Sequence, residues 1–366
     1  MIPELDKIRI SLYGGKMITY ISLIEDARRH RASDIHLSEG SPIRYRIDGE
    51  LQMAEVNPSD AELKAFITSL LSDQQKECLY HEDMDFAMED EKGNRQRVNV
   101  YYQQGRLAAT IRLLNAEIPD IQKLGLPEVL LKLADEPRGL ILITGPTGSG
   151  KTTTLASMLN YINETRREHI ITIEDPIEYV YREKNALIHQ REVGKDVPSF
   201  SSALRSSLRE DPDVILVGEM RDYETISAAL TAAETGHLVL STLHTFSAAQ
   251  TVDRIIDVCP PASQAQVRTQ LAGVLKGVVT QCLLPRVDGE GRVVATEVLL
   301  GNEAVLSNIR ESKTHQLPAM MQSGRALGMH TLNNDLVRLC REGLITKDVA
   351  YRYSNDKKEI AELLYE

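Results

Sequence analysis

The chain has 366 residues, of which 42% are hydrophobic and 26% charged, with a formal net charge of −11 and four cysteines. This length suits two domains at about 150 residues each, and the composition is that of an ordered globular protein. The acidity argues against broad electrostatic binding to nucleic acid or anionic lipid and leaves only a local basic groove open.

In chain order, the opening segment "MIPELDKIRISLYGGKMITY" lacks a continuous apolar core of signal-peptide length. Residues 17–112 read as an α+β module. "ITYISLIEDARRHRASDIHL" opens with helical spacing and changes at Ala32-Ser33-Asp34 into a short strand, Ile35-His36-Leu37. "PIRYRIDGEL" alternates apolar and polar residues about an Asp48-Gly49 turn, which is hairpin chemistry. "AELKAFITSLL" returns to helix spacing. Residues 84–114 give three short strands with turns at Lys92-Gly93-Asn94 and Gln104-Gly105. "NAEIPDIQKLGLP", 115–127, sets two prolines and a glycine between periodic segments and reads as a linker.

Strand and helix then alternate. "GLILIT", "HIITI", "DVILVG" and "HLVLST" are continuous apolar strands, separated by the helical "KTTTLASMLNYINETRR", "FSSALRSSLRE" and "YETISAALTAAETG". Such strands imply a parallel sheet covered on both faces. From about residue 248 the pattern is mainly helical. Apolar runs such as Leu140–Ile143 fall far short of the ~18 residues a membrane span needs. Cys78, Cys259, Cys282 and Cys340 form no CxxC pair, which argues against a zinc site of that kind and fits a reducing compartment.

Gly145-Pro146-Thr147-Gly148-Ser149-Gly150-Lys151-Thr152 fits G-x-x-x-x-G-K-[ST] between an apolar strand and a helix. The glycines let backbone N–H groups turn inward onto phosphate oxygens, and the helix adds its positive dipole end. Lys151 would neutralise β/γ-phosphate charge; Thr152 would ligate Mg²⁺, and Thr153 next to it belongs to the same nucleotide site. The strand Val214–Val217 ends in Gly218-Glu219 rather than in an aspartate. Glu219 is therefore expected to share the metal with Thr152 through water, with Gly218 keeping the strand end small beside the phosphates.

"HIITI" runs into Glu174-Asp175-Pro176-Ile177-Glu178. If its strand lies next to the phosphate loop, its end reaches the same crevice, and Glu174, first past the strand, prepares the water. Some of these acids read equally as solvated turn residues. His237 and His244 flank "LVLSTL" at a spacing that does not chelate metal. His237 reads either as catalytic or as a satisfied buried histidine, whereas His244 is placed to sense a γ-phosphate. Arg97 and Arg112, in or ending apolar strands, either present a guanidinium to a γ-phosphate or pair with the acids of 82–85 and 89–91.

With these residues in order, the chain resembles the secretion ATPases that drive type IV pili and type II secretion. The resemblance rests on "GPTGSGKTTTL", "TIEDPIEY", "ALRSSLREDPDVILVGEMRD" and "TAAETGHLVLSTLHT", which correspond to that family's Walker A loop, Asp box, Walker B strand and His box, and it spans about residues 17–350. It implies an α/β protein with an N-terminal PAS-like α+β domain (1–114, with 1–16 an extension), the linker 115–127, and a RecA-like P-loop NTPase core (128–366) with a helical C-terminal region. It also implies ATP and Mg²⁺ bound between domains, a homohexameric ring, and N-terminal arginines that complete the site, which by register are Arg97 and Arg112.

The retraction, PilT-like branch is favoured by the short N-terminus, the missing tetracysteine motif, and the tail "NIRESKTHQLPAMMQSGRALGMHTLNNDL". One departure is Leu306, where the branch has an arginine. The expected function is a cytoplasmic motor, peripheral at the inner membrane, that drives pilus retraction through an inner-membrane platform protein. A second pilus ATPase is a further expected partner, and nucleic acid is not. An assembly- or secretion-type ATPase is the alternative in the same class. A nucleic-acid translocase is opposed by the acidity and by the lack of aromatic-basic interleaving.

Overall fold

The computed structural model describes residues 9–11, 17–47, 49–55, 58–89, 94–114, 117–289 and 291–365. Outside them lie Asp48, Lys92 and Gly93 of the expected turns, residues 115–116 of the expected linker, and most of the expected extension. The chain divides into two compact units, residues 1–117 and 118–366.

The first unit begins with a short antiparallel pair, β1 (Arg9–Ser11) and β2 (Met17–Thr19). The helix Tyr20–Arg29 starts at a capping box: the Thr19 side chain accepts from Ser22 N, and Ser22 Oγ accepts from Thr19 N at 2.9 Å. Its Tyr20, Leu23, Ile24 and Ala27 follow helical spacing and are all buried. Then come β3 (Ala32–Ser38), β4 (Arg44–Ile47), β5 (Glu50–Met53), β6 (Met84–Glu89), β7 (Arg95–Gln103) and β8 (Arg106–Leu113). They form one antiparallel sheet in the order β5-β4-β3-β8-β7-β6. Ile35, Leu37, Val98, Val100, Leu107 and Ile111 face the core they share with the helices Tyr20–Arg29 and Asp60–Ser69. Because side chains alternate along a strand, Arg97 and Arg112 point the other way, and they are direct cross-strand partners.

The second unit is built on β9 (Gly139–Thr144), β10 (His169–Glu174), β11 (Leu187–Glu192), β12 (Val214–Val217), β13 (Leu238–Leu243), β14 (Leu275–Pro285) and β15 (Arg292–Leu300). The order is β11-β10-β12-β13-β9-β14-β15, parallel throughout except for the antiparallel β14–β15 pair. Every residue of β9, β12 and β13 is buried. Alternate residues enter two separate cores: Leu140, Leu142, Ile215 and Val217 in one, Ile141, Ile143, Val214 and Leu216 in the other. The sheet is therefore covered on both faces, as such apolar strands require.

Two expectations need refining. The stretch after residue 248 is mainly helical, but it also holds β14 and β15, which extend the sheet by 11 and 9 residues. Their β-branched runs, "GVVTQ" and "RVVATEV", signal strands and flank a turn containing Asp288-Gly289. The expected linker is, in its described part, largely attached to the second unit. Ile121 is buried in its core, and Ser157 Oγ donates to Pro119 O at 2.7 Å. Leu306, in the helix Glu303–Arg310, packs against the same core as Val305 and Ile309, so an apolar side chain there serves packing.

Candidate active site

The loop 145–150 leaves β9 and enters the helix Lys151–Thr165. Gly150, at φ +89°, is its N-cap, and Gly145 sits at φ +141°. A Cβ on Gly145 would lie 2.2 Å from Gln281 O and 2.6 Å from Ser149 Oγ, so only glycine fits. Gln281, on β14, braces the loop: its Nε2 donates to Ser149 O at 2.7 Å and its Oε1 accepts from Thr154 Oγ1 at 3.0 Å. Lys151 Nζ donates to Gly145 O (2.8 Å) and Pro146 O (3.0 Å). Ser149 Oγ is buried and has no hydrogen-bond partner among the described residues. A turn of backbone N–H groups, an ammonium and an unmatched hydroxyl at a helix N-terminus form a cradle that fits phosphate.

Burial lowers the Lys151 pKa, and the negative charges of Glu219 and Glu178 act against that. Glu219 follows β12; its Oε2 accepts from Arg221 Nε at 2.6 Å and lies 3.6 Å from His244 Nε2. His244 follows β13. Burial holds its imidazole below the ordinary value, Lys151 adds to this, and Glu219 opposes it. Lys151, Glu178, Glu219, Arg221 and His244 thus share one electrostatic neighbourhood at the C-terminal ends of parallel strands, where ligands of such sheets bind. Thr152, second in the helix, is partly exposed and offers a hydroxyl, and Glu219 offers a carboxylate, oxygen donors of the kinds Mg²⁺ takes.

The strand that carries Glu174 is not where it was expected. β10 is not next to β9; β13 and β12 lie between them. Glu174 is the last residue of β10, only 6% exposed, and turned onto Thr172 and Gln190. Burial raises its pKa to about 7, and the charge of Glu178 adds to the rise. The acid whose field reaches Lys151 is Glu178, four residues on and partly exposed. Nothing in "EDPIE" ranks its acids; only the burial of the strand end does.

His237 also departs from its catalytic reading. It precedes β13, so the strand separates it from His244 by ~20 Å at ~3.3 Å per residue. Its Nδ1 bonds Ala232 O at 2.8 Å, closing the end of the helix Tyr223–Glu234, which is the satisfied-histidine alternative. Gly218 packs against β10: a Cβ there would lie 3.3 Å from Ile173 O and 3.5 Å from Glu174 Cα. Thr153 Oγ1 is 3.2 Å from Tyr179 Oη, so its hydroxyl ties the helix to the acid-bearing segment.

In the first unit, Arg97 makes a bidentate pair with Asp85, Nε–Oδ1 3.0 Å and Nη2–Oδ2 2.6 Å. Arg112 Nε donates to the buried Asp34 at 2.9 Å. The pairing alternative named residues 82–85 and holds for Arg97; Asp34, 78 residues from Arg112, carried no sequence signal. Gln281 and Arg221 were missed as well. Arg221 stood beside a named residue, but Gln281 lay in a region read as helix.

A cavity of about 520 Å³ lies between residues 125–128 and 325–338. Its polar groups largely pair with one another, as Arg338 does with Asp335 (2.7 Å) and Arg325 with Asn334 (2.6 Å). Among the described residues no helix is long and apolar enough to cross a membrane, and no cluster of three or more His, Cys, Asp or Glu could hold a metal.

Residues 15–335 match the family model described as type II/IV secretion system protein. The chain is 46% identical over 330 residues to the type IV pilus retractation ATPase PilT of Pseudomonas aeruginosa, covering 90% of this chain and 96% of that one. It is 46% identical over 317 residues to the Escherichia coli K12 protein YggR, described as uncharacterized, covering 86% and 96%. The crystal structure of the pilus retraction motor PilT with bound ADP superposes with a TM-score of 0.86 at 46% identity, covering 94% of this chain and 99% of that one.

Proposed function

The chain belongs to the type II/IV secretion system protein family, and from that premise we propose that it is a motor ATPase that drives retraction of a type IV pilus. The supporting observation is the convergence of Glu178, Glu219 and His244 on the phosphate-loop lysine. In this reading the second unit is a RecA-like core and the first a PAS-like domain. Six copies form a ring, and the ring acts on a platform protein of the inner membrane from its cytoplasmic side.

The loop 145–150 and Lys151 hold the β/γ-phosphates of ATP. Thr152 and, through water, Glu219 are the residues that would hold Mg²⁺, which supplies charge neutralisation on those oxygens. Glu178, rather than Glu174, accepts the proton of the attacking water. Its oxygen bonds to the γ-phosphorus as the bond to the ADP oxygen breaks, giving ADP and inorganic phosphate. His244, linked to Glu219, registers the loss of the γ-phosphate. Arg97 and Arg112 supply the remaining positive charge, and Asp85 and Asp34 preset the orientation of their planar forks.

Deleting the gene and counting surface pili tests this reading. Excess pili that do not retract are expected, whereas a bald surface would mean that the motor assembles pili.

A further inference from the structure

The segment 175–181 carries Glu178, and side chains from β10 and β11 hold its backbone at four points. Gln190 Oε1 accepts from Tyr181 N at 3.0 Å, and Gln190 Nε2 donates to Tyr179 O at 2.8 Å. Glu192 Oε2 accepts from Ile177 N at 3.3 Å. The fourth point is Glu178 itself, whose backbone N–H donates to the Glu174 carboxyl. The same carboxyl accepts Thr172 Oγ1 at 2.6 Å and Gln190 Nε2 at 3.2 Å. Glu174 thus bonds both the residue that carries the acid and the glutamine that clamps the far end of the segment.

We propose that Glu174 is a positioning residue for hydrolysis, fixing the backbone at Glu178 so that the Glu178 carboxylate is aimed at the water. This rests on Glu178 being the acid that activates that water. A misplacement of about 1 Å in such a group costs about a hundredfold in rate, so a buried anchor one bond from the acid's own backbone has leverage. It acts on turnover rather than on nucleotide binding, because the phosphate cradle is made by residues 145–152.

The anchor is also titratable. Burial, reinforced by the charge of Glu178, raises the Glu174 pKa to about 7, while the donors from Thr172, Gln190 and Glu178 pull it down. Titratable groups facing it include Glu178 and Tyr181 of the segment and Glu192, its register partner on β11. On β12, Gly218 lies beside the Glu174 backbone. All three donors favour the ionised carboxyl, so the grip is full above about pH 7 and weakens as pH falls through it.

The test is the pH profile of ATP turnover by the full chain for wild type, E174Q, T172V and E178Q. Wild type should show kcat falling as pH drops through about 7. In E174Q that limb disappears, with kcat at pH 8 about tenfold or more below wild type and KM for ATP within about twofold. T172V removes one donor and raises the Glu174 pKa further, moving the limb to higher pH, and it carries the test if E174Q does not fold. A limb that persists in E174Q, an unchanged kcat in E174Q, or an unmoved limb in T172V overturns the proposal. If E178Q turns over like wild type, the underlying assignment of Glu178 fails instead. If E178Q is inactive while E174Q matches wild type, the positioning role alone fails.

Discussion

Two segments at the C-terminal ends of the same sheet are held in different ways. The loop 145–150 is shaped mainly by its own backbone: glycines at φ +141°, +77° and +89°, a helix start, and carbonyls that take the Lys151 ammonium. The segment 175–181 is shaped by side chains of other strands, Glu174, Gln190 and Glu192, that grip its amides. A site made from backbone turns has few sequence solutions and reads as a motif. One made from side chains across a register has many, and the fold must decide which acid faces the nucleotide.

Variants sharpen this contrast. Lys151→Ala should leave the glycine loop folded yet lower turnover by ~10³-fold or more, since the lysine charge acts on the transferring phosphate; steady-state phosphate release measures it. Arg97→Ala should leave ATP affinity nearly unchanged and reduce kcat by ~10³-fold. Unchanged kcat in that variant would leave Arg97 a structural role, its pair with Asp85 included.

Gln281→Ala probes a remote side chain that braces the phosphate loop. It frees Ser149 O and Thr154 Oγ1 and should raise KM for ATP by about tenfold, read from saturation curves. An unaltered KM would show that the loop holds itself. His237→Ala should be the mildest, with turnover within about twofold and stability lowered by ~1 kcal/mol for one lost helix-end bond, read from denaturant midpoints.

The same contrast sets how much the sequence revealed. The glycine-rich turn between strand and helix, the placement of Glu219 and His244 past strand ends, and the buried parallel strands were legible because period and motif are local. The strand order was not, and from it came the misplacement of Glu174: β13 and β12 intervene between the phosphate-loop strand and β10. Gln281 escaped because Leu275–Pro285 follows a helix directly, and its β-branched run was outweighed by the helical tail. Asp34 escaped because its pairing with Arg112 exists only through the β3–β8 register.

The central claim is that Glu178 prepares the water while residues 145–152 hold the phosphates of ATP. Single-turnover hydrolysis of bound ATP by E178Q tests it most directly. ATP should bind with near-wild-type affinity and stay intact, its cleavage slowed by ~10³-fold. Cleavage at the wild-type rate would contradict the account.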